Sequence, residues 1–176
     1  ALQSWAFELI SNPNNFNNAE VRSEMILNLA KCIGMSGMVA GQQADIDLQN
    51  LKISTNDISW IQEKKTGSLL KCCVIFGHLI GNGYDNQKKA LINYANSLGL
   101  AFQIADDLLD LKGLKEKIGK PVGQDLNNST PNFVNLLGEK DARRQSEVMV
   151  EKAIESLKIF GNNAKNLVLL AKYSIE

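Results

Sequence analysis

The sequence predicts an all-α protein, on three observations. Apolar residues recur at helical three- and four-residue spacing along nearly the whole chain. No stretch shows the two-residue alternation of paired strands. Only 3 prolines interrupt 176 residues, which suits long uninterrupted helices. That length accommodates one domain of packed antiparallel helices.

The elements follow in order. A first helix runs over residues 2–11 and stops at the turn Asn12-Pro13-Asn14-Asn15. A second starts near Asn18, carries Val21, Met25, Leu29, Ile33 and Gly37 at helical spacing, and extends to about residue 48. Gly34, Gly37 and Gly41 lie on or near one of its faces. Glycine costs helix stability, so these positions predict close approach of another helix or a ligand. Ser54-Thr55-Asn56-Asp57 supplies N-caps for a third helix reaching about residue 80, where Gly81-Asn82-Gly83 breaks the chain. Asp85 or Asn86 caps a long fourth helix that ends near Lys112 or Gly113. Residues 113–131 are long for a connection, and such loops in compact domains are often functional lids. Two further helices fit residues 133–160 and 164–174.

The 19 basic and 19 acidic residues balance. That balance gives no support to broad nucleic-acid or anionic-membrane binding, which calls for a basic excess. No segment is long and apolar enough to span a bilayer. Cys32, Cys72 and Cys73 are an odd count without metal spacing, expected as small buried residues in a reducing, cytoplasmic setting. His78 lies in an apolar run and is expected to be structural. The first residues, Ala1-Leu2-Gln3-Ser4-Trp5, lack a signal-peptide pattern and enter helical periodicity at once, as though the chain begins in mid-fold.

The chemistry concentrates in Ala101-Phe102-Gln103-Ile104-Ala105-Asp106-Asp107-Leu108-Leu109-Asp110. Asp106 and Asp110 share a helix face, with Asp107 flanking them. Crowded carboxylates resist burial together. Divalent cations with oxygen ligands relieve them, and Mg²⁺ takes one or two carboxylates while substrate phosphates and water complete its shell. A solvated face is the ordinary alternative, but no lysine stands among these acids to pair with them. The pattern therefore points to a metal-bridged phosphate or diphosphate site at the edge of an apolar cavity.

Three weaker groups accompany it. In Gly41-Gln42-Gln43-Ala44-Asp45-Ile46-Asp47, Gln42 and Asp45 are neighbours on the helix surface, though Asp45 or Asp47 equally suits a wet helix end. In Lys64-Lys65-Thr66-Gly67, Lys65 offers a charge and Thr66 a hydroxyl to a phosphate. Spacing alone favours a basic solvent face there. In Gly119-Lys120-Pro121-Val122-Gly123-Gln124-Asp125, Lys120 can serve as a counterion over a diphosphate, or the stretch is a plain turn.

In this order, GQxxD, KTG, FQxxDDxxD and GKPxGxD resemble the trans-prenyltransferase, or polyprenyl synthetase, family across nearly the whole chain. The similarity is closest to short-chain farnesyl and geranylgeranyl diphosphate synthases. The resemblance implies an antiparallel helix bundle of the isoprenoid synthase type, lacking its N-terminal helices. Residues 1–176 would form the C-terminal part of a single synthase domain. It implies Mg²⁺ as cofactor, allylic diphosphate and isopentenyl diphosphate as substrates, and a homodimer. It assigns Asp106, Asp107 and Asp110 to metal binding, with Asp106 leading. It assigns Lys65 and Lys120 to the diphosphate, and Thr66, Gln103, Asp45 and Gln42 to substrate binding. Lys65, Thr66 and Gln103 would be the catalytic group, and Asp125 would support the loop lysine.

Two departures stand out. The family's first aspartate-rich motif and its isopentenyl diphosphate groups would precede this chain. Beyond Asp125, Thr130 or a neighbour stands where the family usually places a lysine. The resemblance thus implies an intact prenyltransferase of which this chain alone is inactive. The alternatives are a split subunit of a heteromeric synthase, or a non-catalytic module that binds diphosphate.

Overall fold

The computed structural model describes residues 1–49, 51–112 and 132–176. Among the described residues all regular structure is helical. Helix α1 (Leu2–Ser11) gives way at Asn12, whose side chain accepts the Asn14 N–H at 2.9 Å. Helix α2 (Ala19–Ile33) begins at Asn18, whose carboxamide oxygen accepts the N–H groups of Glu20 and Val21. Those are two of the donors that a helix start leaves without internal partners.

The single helix expected over residues 18–48 is two. α2 ends before Gly34, and α3 (Met38–Asp47) starts after Gly37. A Cβ at Gly37 would overlap the Cys32 carbonyl, so the glycine permits the sharp bend. The capping box at Ser54 and Asp57 starts α4 (Thr55–Gln62), as the sequence predicts. A π-helical turn over Glu63–Gly67 then interrupts the expected rod before α5 (Ser68–Ile80). Helix α6 (Asp85–Lys112) is a continuous 28 residues. The helix expected over residues 133–160 is broken at Gly138, whose φ of +80° lies in the left-handed region. It divides into α7 (Phe133–Leu137), α8 (Glu139–Ser156) and part of a 3₁₀ stretch, Lys158–Ala164. The last helix is α9 (Lys165–Tyr173).

Helix α6 is the spine. Its Tyr94, Leu98 and Ala101 meet Val150, Ala153 and Leu157 of the α8 side, with Ala164 and Ala171 closing the cluster. One turn further, Ile104 and Leu108 pack with Ile58, Phe133, Val134 and Ala142. A third cluster joins α1, α2 and α5 through Ile10, Met25, Leu29 and Cys72. The Tyr94 hydroxyl donates to the Leu167 carbonyl at 2.8 Å, tying α9 to the spine, and burial pushes that phenol up to about 12.

The cysteine expectation holds in part. Cys72 is buried, Cys32 is half-buried and Cys73 is exposed. A thiol–thiol hydrogen bond from Cys72, helped by the charges of Lys71 and Lys64, brings the Cys32 thiol down to about 7. No described helix is long and apolar enough to cross a membrane.

Candidate functional site

Three chain segments converge to build the site. Helix α3 contributes Asp45, the π turn contributes Lys65 and Thr66, and α6 contributes Gln103 and Asp106. Their approach is made possible by glycine. A Cβ at Gly41 of α3 would overlap the backbone nitrogen of Lys65 and lie 2.8 Å from Lys64 C and Cβ. A Cβ at Gly99 of α6 would stand 3.3 Å from the Cα of Gly67. The π turn is thus held between α3 and α6 at contact distances that larger residues would disturb. π-Helical turns inside α-helices are frequent at functional sites.

Two side-chain pairs result. Lys65 Nζ lies 2.7 Å from Asp45 Oδ2, with the aspartate side chain 16% exposed and the lysine 35%. Asp45 aims the ammonium while leaving it reachable from solvent. Thr66 Oγ1 donates to Gln103 Oε1 at 2.9 Å across the gap between the π turn and α6. Gln103, Asp106 and Asp110 succeed one another at spacings of three and four along α6, so they share a face.

The three acids of α6 have different surroundings. Asp106 is half-buried. Asp107 and Asp110 are each 5% exposed. Asp107 Oδ2 accepts the Phe133 N–H at 2.9 Å. Asp107, Asp110 and Leu111 line a recess with Asn132, Val134 and Asn135 of only about 10 Å³, room for one water at most. That recess between α6 and α7 is itself too small for a diphosphate. Among the described residues, no three carboxylate, imidazole or thiol groups converge into a protein-only metal cage. A cation that needs only one or two protein carboxylates is compatible with this set, and Mg²⁺ is such a cation.

The remaining expectations divide. Gln42 is exposed on α3, at the spacing of three from half-buried Asp45 that the sequence implies. Asp47 is a surface partner of Gln43, whose amide donates to it at 2.8 Å. Lys120 and Asp125 lie outside the described residues. The His78 ring packs closely on the Gly83 turn, where a Cβ would lie 2.6 Å from Nδ1. The contact from Asp107 to Phe133 is not readable in the sequence, because the partner is a backbone group 26 residues away.

Known proteins share this sequence pattern and fold. The family model for polyprenyl synthetases matches residues 1–166. A farnesyl diphosphate synthase of Geobacillus stearothermophilus is 39% identical, over 89% of this chain and 53% of its own length. An FPP/GFPP synthase from Zymomonas mobilis, solved in apo form, superposes with a TM-score of 0.83 at 35% identity, covering 98% of this chain and 57% of that one. A geranyltransferase from Helicobacter pylori, solved with magnesium and isoprenyl diphosphate, superposes with a TM-score of 0.82 at 25% identity, covering 98% of this chain and 56% of that one. The chain spans about half to three-fifths of the length of the curated relatives it matches.

Proposed function

Because this chain belongs to the polyprenyl synthetase family, we propose that it forms the C-terminal part of a prenyl diphosphate synthase domain. It would supply the allylic-diphosphate half of the site. The reaction joins an allylic diphosphate to isopentenyl diphosphate. The C–O bond to the allylic diphosphate breaks, and pyrophosphate leaves with the bonding electrons. The homoallylic double bond of the second substrate attacks the resulting allylic cation, and loss of a proton restores a neutral chain. Pyrophosphate can carry that proton away.

The residues act on the charge that this sequence of steps moves. Lys65 donates to the leaving diphosphate as negative charge builds on it, and Asp45 keeps the ammonium aimed. Thr66 and Gln103, already bonded to each other, fix the polar rim at the reacting end of the allylic chain. Asp106 leads in holding Mg²⁺, with Asp110 one turn further along the same face. Mg²⁺ held there would supply Lewis-acid neutralisation of charge on the leaving group. A water-poor cavity in the assembled domain would protect the cation from hydrolysis. A homodimer in the cytoplasm fits the family and the three unbridged cysteines.

The observation that carries this reading is the convergence of the two pairs, Lys65–Asp45 and Thr66–Gln103, the second of them three residues along α6 from Asp106. Isothermal titration calorimetry of the purified chain with pyrophosphate tests it. We expect binding that requires Mg²⁺ and disappears in Asp106→Ala. Binding unchanged in that variant would overturn the assignment. The chain alone is expected to show negligible prenyl transfer, and turnover of geranyl and isopentenyl diphosphates by it would contradict the division into halves.

A further inference from the structure

We infer that Asp107 is a positioning residue, not a third metal carboxylate: it fastens the start of α7 to the spine helix immediately beside Asp106. The inference deepens the proposed function and rests on it for its consequence, although not for the contact itself. Helix α7 is only five residues long, and a helix that short does not persist in water on its own. Two side chains satisfy its otherwise unpartnered first donors. Asn132 accepts the Asn135 N–H at 2.7 Å, a local cap. Asp107 reaches from another element and accepts the Phe133 N–H at 2.9 Å, in a buried setting.

That contact supplies an acceptor to a helix-start N–H that has no partner within the helix. It also places Phe133 and Val134, 2% and 7% exposed, against Ile104 and Leu108 of α6. Those two residues flank Asp106 at two positions on either side. Asp107 thereby controls the packing under the proposed metal-facing residue while committing one of its own oxygens to backbone.

Two substitutions separate the roles. Asp107→Asn keeps a carbonyl acceptor of nearly the same shape and removes the charge. Asp106→Asn removes the charge from the residue proposed to lead metal binding. The first readout is amide hydrogen exchange over residues 132–137. We expect protection to persist in Asp107→Asn and in Asp106→Asn, and exchange to accelerate about tenfold in Asp107→Ala, the loss of a buried hydrogen bond. The second is Mg²⁺-dependent pyrophosphate affinity. We expect Asp107→Asn to stay within about threefold of the parent chain and Asp106→Asn to lose binding, since only the latter removes a proposed ligand. Loss of protection in Asp107→Asn, or loss of binding there equal to that of Asp106→Asn, overturns the inference. Absence of pyrophosphate binding by the parent chain would sink the proposed function, while the exchange readout would still judge Asp107. Should Asp107→Ala fail to fold by circular dichroism, the asparagine variants carry the decision.

Discussion

Lys65 and Asp45 form a pair whose members have unequal jobs. At 2.7 Å with both side chains partly wet, the pair contributes at most about 1 kcal/mol to stability. Its value lies in holding one ammonium at the edge of the site. Lys65→Gln is therefore expected to leave thermal stability nearly unchanged and to weaken Mg²⁺-dependent pyrophosphate binding by about tenfold or more, the cost of a charge-assisted hydrogen bond. Calorimetry and a thermal melt on the same sample check both halves. The sequence makes Lys65 visible as a cation beside a threonine and a glycine. It does not reveal that the ammonium is matched to Asp45, because that pairing depends on how α3 approaches the π turn. In the same way Asp106, Asp107 and Asp110 read as one cluster in sequence, and burial separates them.

Among the elements, the π turn over Glu63–Gly67 is the least readable in the sequence and the most informative in the structure. Helical periodicity runs from α4 through α5 without a gap, so the expected rod is continuous. The wide turn is held from outside by α3 at Gly41 and α6 at Gly99. Gly41→Ala places a Cβ against the Lys65 backbone, which cannot move without shifting Thr66. We expect that variant to lose 1–3 kcal/mol by overpacking, roughly, and to lose pyrophosphate binding along with it. Chemical denaturation and calorimetry measure the two. The start of α4 is fully legible by contrast, since Ser54 and Asp57 carry the capping box in their spacing alone. The Ser54 hydroxyl and backbone N–H hold the Asp57 carboxyl below its ordinary value of 3.8. Its native pKa is depressed, so the stabilisation is present above that ordinary value and is lost as pH falls through the lower native one. Circular dichroism on acidification should show Asp57→Asn to be less pH-sensitive in this range than the parent chain. Equal sensitivity would count against the cap. The breaks at residues 34–37 and at Gly138 belong to the same lesson. Glycine marks both places, but only the backbone angles distinguish a bend from a close approach.

For the molecule as a whole, the fold class and the order of helices are legible because α6 and its neighbours bury regular apolar stripes. The site is less so, because its working contacts cross between helices that are far apart in sequence. The surface also carries large apolar side chains, including Trp5 at 56%, Phe102 at 48%, Leu109 at 49% and Trp60 at 45% exposed. Exposed apolar area of this kind favours association. Light scattering is expected to return a multiple of the 19.4 kDa chain mass, and a monodisperse single chain would contradict that.

Helix α6 carries Tyr94, Leu98, Ile104 and Leu108 into two of the three core clusters and also bears Gln103 and Asp106. Recognition and cooperativity are thus wired through one scaffold beam. A compound that grips Asp106 cannot be released by melting one lobe alone, so its affinity becomes heat resistance of the entire chain in proportion to RT ln(1 + [L]/Kd). Dye-based thermal screening therefore doubles as a search for ligands, without any assay of turnover.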